Sequence, residues 1–228
     1  MNNKILNRLQ TLFKVSPHLL RDMSELEQAI IAIFDVEVSL DPDKQRDIVN
    51  IGRQIDQAVL KKYFGSVWQP KTKQYKYSGL SIIDEINSMR PRSVVDVGCG
   101  YNEFKGKIEN LTGVDPYNAK ADVQSNILDF NPDQKFDVTV CLGSINFGSV
   151  DKIYTELEHV VSITQPGGYL FFRANPGEQH DAPEAKWIEF FDWTPEFIMS
   201  AAKNLNCQVL TIRQDAGNRL YFVLRRQG

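Results

Sequence analysis

The sequence predicts an α/β protein: a doubly wound, mostly parallel sheet that ends in an antiparallel hairpin, preceded by a helical extension. From Leu80 onward, short apolar runs alternate with amphipathic segments, the rhythm of strands joined by crossovers. The run Val94-Val95-Asp96-Val97 lacks an in-out alternation, as expected of a strand buried on both faces. The last two strand-like runs, Cys207–Arg213 and Arg219–Arg226, flank Gln214-Asp215-Ala216-Gly217-Asn218, whose glycine and asparagine suit a hairpin turn.

Taken in order, the first signal is Ser24-Glu25-Leu26-Glu27, which matches a capping box, followed by Leu26, Ala29, Ile30 and Ile33 on one stripe of a helix. Asp41-Pro42 offers a second N-cap with proline in the first turn, and the amphipathic pattern after it runs until Gly65 stops it. Between Gly65 and Gly79 the chain is rich in lysine and aromatics and has no period, so it reads as a loop. Residues 1–79 are therefore expected to form a helical extension and linker, a cap or partner-binding element, and residues 80–228 the sheet domain.

Within that domain a short helix over Leu80–Met89 breaks at Arg90-Pro91. Strands follow at Ser93–Val97, Leu111–Asp115, about Asp122–Asn126, Phe136–Leu142 and Gly168–Ala174, with a helix between the first two. Pro116–Ala121 is too short to hold a helix between the second and third.

Of 228 residues, 42% are hydrophobic and 24% charged, enough for a sizeable core. No apolar stretch approaches the length of a membrane span, and MNNKILNRLQTLFKV has no signal-peptide core, so the expected location is the cytoplasm, with no membrane partner. Cys99, Cys141 and Cys207 have no metal-ligand spacing, and their odd number argues for reduced thiols. A net charge of -3 opposes a general polyanion-binding role.

The most informative residues are Val94-Val95-Asp96-Val97-Gly98-Cys99-Gly100, a buried strand running into a turn whose glycines let a ligand approach the backbone. With Asp96, Gly98 and Gly100 in the acidic-x-Gly-x-Gly order, the segment from Leu80 to Arg226 resembles the class I, Rossmann-like S-adenosylmethionine-dependent methyltransferases. The resemblance implies their seven-stranded type of sheet and S-adenosylmethionine as cofactor. A dinucleotide-binding protein also sets a glycine turn after its first strand, but here Tyr101, Asn102 and Glu103 break GxGxxG. The Asp96 and Glu103 carboxylates would also repel a pyrophosphate, whereas they suit a cofactor bearing an ammonium and a sulfonium.

The resemblance implies further site residues. Asp115, closing the second strand, takes the place of the family's ribose-binding acid. The stretch after the third strand offers Asn126 or Asp129 for the adenine amino group, with Asn126 and the backbone of Ile127 preferred. Leu142 and Gly143, at the end of the fourth strand, face the cofactor, while Cys141 reads as core. In two respects the sequence departs from the pattern: Asn102 stands at the third glycine, and the helix after the second strand is missing.

Methyl transfer from a sulfonium needs chiefly an aligned nucleophile in a dry site. No catalytic residue is assigned, and no metal ligand set is seen. Substrate candidates are His180, as a general base or as a plain loop residue; Trp193, in a cluster with Trp187, Phe190 and Phe191 that walls a pocket or anchors a helix; and Tyr77. Tyr77 belongs to the basic linker with Lys71, Lys73, Tyr75 and Lys76, which either closes over the cofactor, touches an anionic substrate, or is a solvated linker. The fourth strand ends Cys-Leu-Gly-Ser, unlike the signature of amino-directed DNA methyltransferases, so DNA is not the expected acceptor. A small molecule is preferred, with a protein or carbohydrate group as alternatives. The competing classes are a noncatalytic methyltransferase-like binding domain and an NAD-linked oxidoreductase.

Overall fold

The computed structural model describes residues 2–41, 47–178 and 180–228. The chain divides into two compact units: one runs through Trp68 and takes in His180–Glu189, and the other begins at Gln69 and resumes at Phe190–Gly228. Residues 180–189, read from sequence as part of the sheet domain, thus cluster with the N-terminal helices.

The first unit contains α1 (Asn3–Val15), α2 (Met23–Phe34) and α3 (Ile48–Lys62). α1 was not singled out by sequence, yet Ile5, Leu9 and Phe13 recur every four residues and are its buried face. α2 is capped by Asp22, whose side chain accepts from the Glu25 N–H, so Ser24 lies inside the helix rather than capping it. Its buried residues are Leu26, Ile30 and Phe34. α3 is capped by Asp47 through the Asn50 N–H. The helical turn expected to start at Asp41-Pro42 falls on residues 42–46, outside the described residues. Gly65 does not end the helix; a wider turn, Tyr63–Val67, carries the chain past it.

The second unit is built on one six-stranded sheet. After α4 (Ser81–Ser88) come β1 (Val94–Val97), β2 (Leu111–Val114) and β3 (Phe136–Leu142). They are followed by α5 (Val150–Ile163), β4 (Thr164–Ala174), α6 (Pro195–Asn204), β5 (Cys207–Gln214) and β6 (Leu220–Arg226). The strand order is β2-β1-β3-β4-β6-β5. β2, β1, β3 and β4 run parallel, and β6 is antiparallel to both β4 and β5. At the hairpin, Gly217 and Asn218 take positive φ of 68° and 60°.

Alternate residues of each strand feed two cores. Val95, Val97, Leu170, Phe172 and Phe222 join Leu157 of α5 and Ile198 of α6 in one cluster. Val94, Val138, Phe171 and Val223 join Ile82 and Ile86 of α4 in the other. Helical material therefore lies over both faces, as a parallel sheet requires.

Two expected elements are absent among the described residues. The third strand, placed near Asp122–Asn126, is reduced to a single bridge between Val114 and Val123. The N–H groups of Asp122 and Val123 both donate to the Gly113 carbonyl, which ends the ladder where it starts. The helix expected between β1 and β2 is replaced by successive turns over residues 98–110. Positive φ at Gly98, Gly100, Asn102, Gly106 and Asn110 interrupts any helix there. No described helix is long and apolar enough to cross a membrane.

Candidate functional site

The site is built at the carboxyl end of the parallel strands, between β1 and β3, where crossovers leave in opposite directions and open a crevice. Gly98 follows β1 at φ 75°, and a Cβ added there would lie 2.2 Å from the Cβ of Ser144, which follows β3. Only glycine fits this close approach. Asn102, in the place of the family's third glycine, keeps the left-handed backbone at φ 55°. Its amide donates to the Lys120 carbonyl at 2.9 Å.

Asp96 is 3% exposed. Burial pushes its carboxyl up to about 7, against the pull of the Arg173 guanidinium and with a further push from the Asp115 charge. A cation beside it would favour the ionised form.

Asp115, buried after β2, accepts from Gly100 N–H through Oδ2 at 3.0 Å and from Tyr117 and Asn118 N–H through Oδ1 at 2.8 and 2.9 Å. A carboxylate offers roughly four lone-pair positions, so room for about one more donor remains, on Oδ2.

The other expected contacts are less uniform. Asn126 is exposed and its amide donates to Asp129 Oδ2 at 2.9 Å, while Ile127 is partly buried against the core. Leu142 lends its carbonyl to Arg173, 2.7 Å away, and Gly143 turns the chain at φ 97°. Cys141 is core.

The substrate candidates are not brought together. Trp193 is 1% exposed, donates its indole N–H to the Ile145 carbonyl at 3.0 Å and packs edge-on against Phe191 and Phe197. It anchors the start of α6 rather than walling a pocket. His180 belongs to the N-terminal unit, where its Nδ1 pairs with the Tyr63 hydroxyl at 2.8 Å. Trp187 also lies there, against Phe34. Tyr77 stacks on Tyr221 of β6 with ring centroids 6.0 Å apart.

Four important residues were not singled out by sequence reasoning. Asp215 accepts from the Lys76 and Ser78 N–H groups at 2.7 and 2.9 Å and from the Ser78 hydroxyl at 2.7 Å, clamping the linker to the hairpin. Those bonds hold its carboxyl below the usual range despite burial. Arg173, ending β4, lies with its guanidinium 4.0 Å from the Tyr75 ring centroid. Arg219 approaches the same ring at 5.5 Å. Asn146 is fully buried: its Oδ1 accepts from the Asn175 N–H at 2.8 Å, and its Nδ2 has no partner. That Nδ2 lies 3.7 Å from where a Cβ on Gly143 would be.

The linker is consequently neither free nor solvated throughout. Gln69 donates to the Tyr101 hydroxyl at 3.1 Å and Thr72 to Glu103 in the glycine turn, while Tyr75 and Tyr77 reach the hairpin end of the sheet.

No protein-family model matches the chain, and no curated protein matches it in sequence. Solved structures do match. The 1,6-didemethyltoxoflavin-N1-methyltransferase of Burkholderia thailandensis, bound to 1,6-didemethyltoxoflavin and S-adenosylhomocysteine, is 13% identical; the match covers 85% of this chain and 94% of that one, with a TM-score of 0.57. Magnesium protoporphyrin IX methyltransferase from Synechocystis PCC 6803, with bound S-adenosylmethionine, is 12% identical over 75% and 97% of the two chains, TM-score 0.55. The N-methyltransferase NodS of Bradyrhizobium japonicum, with S-adenosylhomocysteine, is 14% identical over 76% and 98%, TM-score 0.54. The likeness is one of fold: the chain has the Rossmann-like fold of class I S-adenosylmethionine-dependent methyltransferases.

Proposed function

We propose that the protein is an S-adenosylmethionine-dependent methyltransferase acting on a small molecule. The observation that carries this is the Gly98–Gly100 turn, pressed onto Ser144 at the sheet's switch point and flanked by the buried carboxyls of Asp96 and Asp115. The residues fit the cofactor. Asp96 offers a carboxyl whose ionisation a neighbouring ammonium would favour, Asp115 retains acceptor capacity for a ribose hydroxyl, and Gly143 leaves the floor open beside the unpartnered Asn146 amide. When bound, S-adenosylmethionine supplies an electrophilic methyl on a positive sulfonium.

The chain's own contribution is positioning and exclusion of water. The linker residues Gln69, Thr72 and Tyr75 lie along the same end of the sheet as the turn, fixed at one side by Tyr101 and Glu103 and at the other by Asp215 through Lys76–Ser78. Two of the methyltransferases that share the fold are named for small-molecule acceptors, 1,6-didemethyltoxoflavin and magnesium protoporphyrin IX, and this supports the small-molecule reading. On this reading the N-terminal helices of residues 1–68 act as a cap or partner-binding element, and the protein works in the cytoplasm.

The second reading, a noncatalytic binding domain, draws on the missing helix after β1 and on the three backbone N–H groups already held by Asp115. Calorimetric titration with S-adenosylmethionine, S-adenosylhomocysteine and NAD separates the classes. Micromolar binding of both sulfur compounds without NAD is the expected result. Absence of all three would favour the binding domain, and NAD binding alone would favour an oxidoreductase.

A further inference from the structure

The hairpin end of the sheet gathers three arginines around two tyrosines, with Asp96 and Asp215 acting on Arg173 only beyond ion-pair distance and Glu85 accepting from the Tyr221 hydroxyl at 3.1 Å. Cα register aligns Leu142 of β3, Arg173 of β4, Tyr221 of β6 and Arg213 of β5 across four strands. Directly paired residues share a face, so Arg173 and Arg213 flank Tyr221. Tyr77 stacks on Tyr221, and the Arg213 guanidinium lies 5.0 Å from the Tyr77 ring centroid. Arg219 and Arg173 both approach the Tyr75 ring. Among the described residues, none of these three arginines has a carboxylate within ion-pair distance.

The Asp215 carboxylate, at the hairpin turn, has its oxygens taken by N–H groups and the Ser78 hydroxyl. Arg173 is half-buried; desolvation and the like charge of Arg219 pull its guanidinium below the usual range, against the Tyr75 hydroxyl and the more distant Asp215 and Asp96 carboxylates. Its nearest neutral acceptors are the Leu142 carbonyl at 2.7 Å and, more distantly, the Ser78 carbonyl at 3.5 Å. A guanidinium has five donors in a planar fork, so donors remain. Asp96 and Asp215 offset part of the Arg173 charge from a distance, but neither is in ion-pair contact with it, so two guanidinium groups face the Tyr75 ring with donors left for an anion of their own.

We propose that Arg173 and Arg219, with Tyr75 between them, bind an anionic group, a carboxylate or phosphate, of the methyl acceptor. This rests on the methyltransferase reading and narrows it to a small anionic substrate. The Arg173 Nη2 lies 3.4 Å from where a Cβ on Gly143 would be, so the arginine fork sits beside the switch-point residue expected to face the cofactor. An anion held there leaves the rest of a small acceptor within reach of the crevice. The fork suits either oxyanion, and the affinity for each identifies which one the site takes.

The test is calorimetry on the full-length protein saturated with S-adenosylhomocysteine, at constant ionic strength, using inorganic phosphate, succinate and, as the uncharged control, succinamide. Millimolar or tighter binding of phosphate or succinate without succinamide is expected; the better anion names the class. Arg219→Gln should weaken that anion about tenfold, the usual loss of a charge-assisted bond, while S-adenosylhomocysteine affinity stays within about twofold. Arg173→Lys keeps the charge but loses the fork and should weaken it by a similar factor. Thermal melts confirm that each variant is folded.

Anion binding that is absent from the wild-type protein, or unchanged in folded Arg219→Gln, overturns the inference while leaving the methyltransferase reading intact. If S-adenosylhomocysteine fails to bind, the same anion titrations run on the unliganded protein: arginine-dependent binding then keeps the anion site and overturns its assignment to a methyl acceptor.

Discussion

The two ends of the sheet's carboxyl edge use the same side chain for the same task but finish with opposite charge. At the glycine-turn end, Asp115 and Asp122 gather backbone N–H groups from Gly100, Tyr117, Asn118 and Gly113, fixing turns where a crossover helix would have fixed its own backbone. At the hairpin end, Asp215 gathers the N–H groups of Lys76 and Ser78. The first end is left with carboxyls, one of them in the low-dielectric interior; the second is left with arginines. The comparison teaches that a short polar side chain can substitute for regular structure, and that the surplus charge is set by what surrounds it. On the proposed reading this polarity separates a cationic cofactor from an anionic acceptor.

The largest expected effect breaks the acidic end. Asp96 has a folded-state pKa raised from 3.8 to about 7, so the folded protein holds a proton there that the unfolded chain has released. Its contribution to stability is fully present below about pH 3.8 and is lost as pH rises to about 7. Asp96→Asn removes that loss. In denaturant melts at pH 8 it should be more stable than wild type by up to about 4 kcal/mol, three pKa units at 1.36 kcal/mol each, with the difference vanishing near pH 3.8. Glu156, raised to about 7 by burial against the pull of Lys152, titrates in the same window and leaves the variant a residual slope. A variant no more stable at pH 8 would show that Asp96 is ionised at no cost, and the acidic end would then not be strained.

At the hairpin end the corresponding change has the opposite sign. Asp215→Ala leaves the Lys76 and Ser78 N–H groups without their acceptor and should destabilise the protein by about 3 kcal/mol, as lost bonds to a buried charge do. Limited trypsin digestion should then cut at Lys76, which is held in the wild type. If cleavage and melting are both unchanged, the linker is secured elsewhere and the comparison between the two aspartates fails.

The sheet was legible because its signals are local and redundant. β3 is predicted over its observed span, Phe136–Leu142, because its apolar run is bounded by polar residues on one side and glycine on the other. The turn at Gly217 and Asn218 was legible from the same chemistry. What failed depended on partners distant in sequence. The absence of a helix after β1 follows from alternating positive-φ residues whose turns are tied to Lys120 and Asp122, and no periodicity announces such ties. Asp215 read as a turn residue because, beyond the local bond from the Ala216 N–H, its linker partners lie 137 residues or more away. Arg173 reads as an ordinary strand residue until β4, β6 and the linker are assembled around it. The glycine turn and the positions of Asp96 and Asp115 beside it were legible because motif and strand coincide; the grouping of Arg173, Arg213 and Arg219 was not.

A smaller effect sharpens the acidic end. Asp115→Ala should weaken S-adenosylmethionine binding by roughly 1–3 kcal/mol, read by calorimetry beside a melt that reports how much the loss of the Gly100, Tyr117 and Asn118 bonds loosens the turn. Full affinity in a folded variant would remove Asp115 from the ribose position.

The smallest effect is expected at Asn126, and it separates a motif-level assignment from a geometric one. The residue stands where the family pattern puts an adenine contact, but it is exposed and its amide is directed to Asp129, three positions along the chain. A local bond of this kind between exposed groups is worth little, so Asn126→Ala should change stability by no more than about 0.5 kcal/mol and cofactor affinity by less than about twofold. Ile127, partly buried against the sheet, is then the better candidate for a backbone contact, because its position is fixed by packing rather than by an exposed side chain. A tenfold loss of S-adenosylmethionine affinity in folded Asn126→Ala would reverse this, showing that the amide leaves Asp129 for the adenine when the cofactor binds.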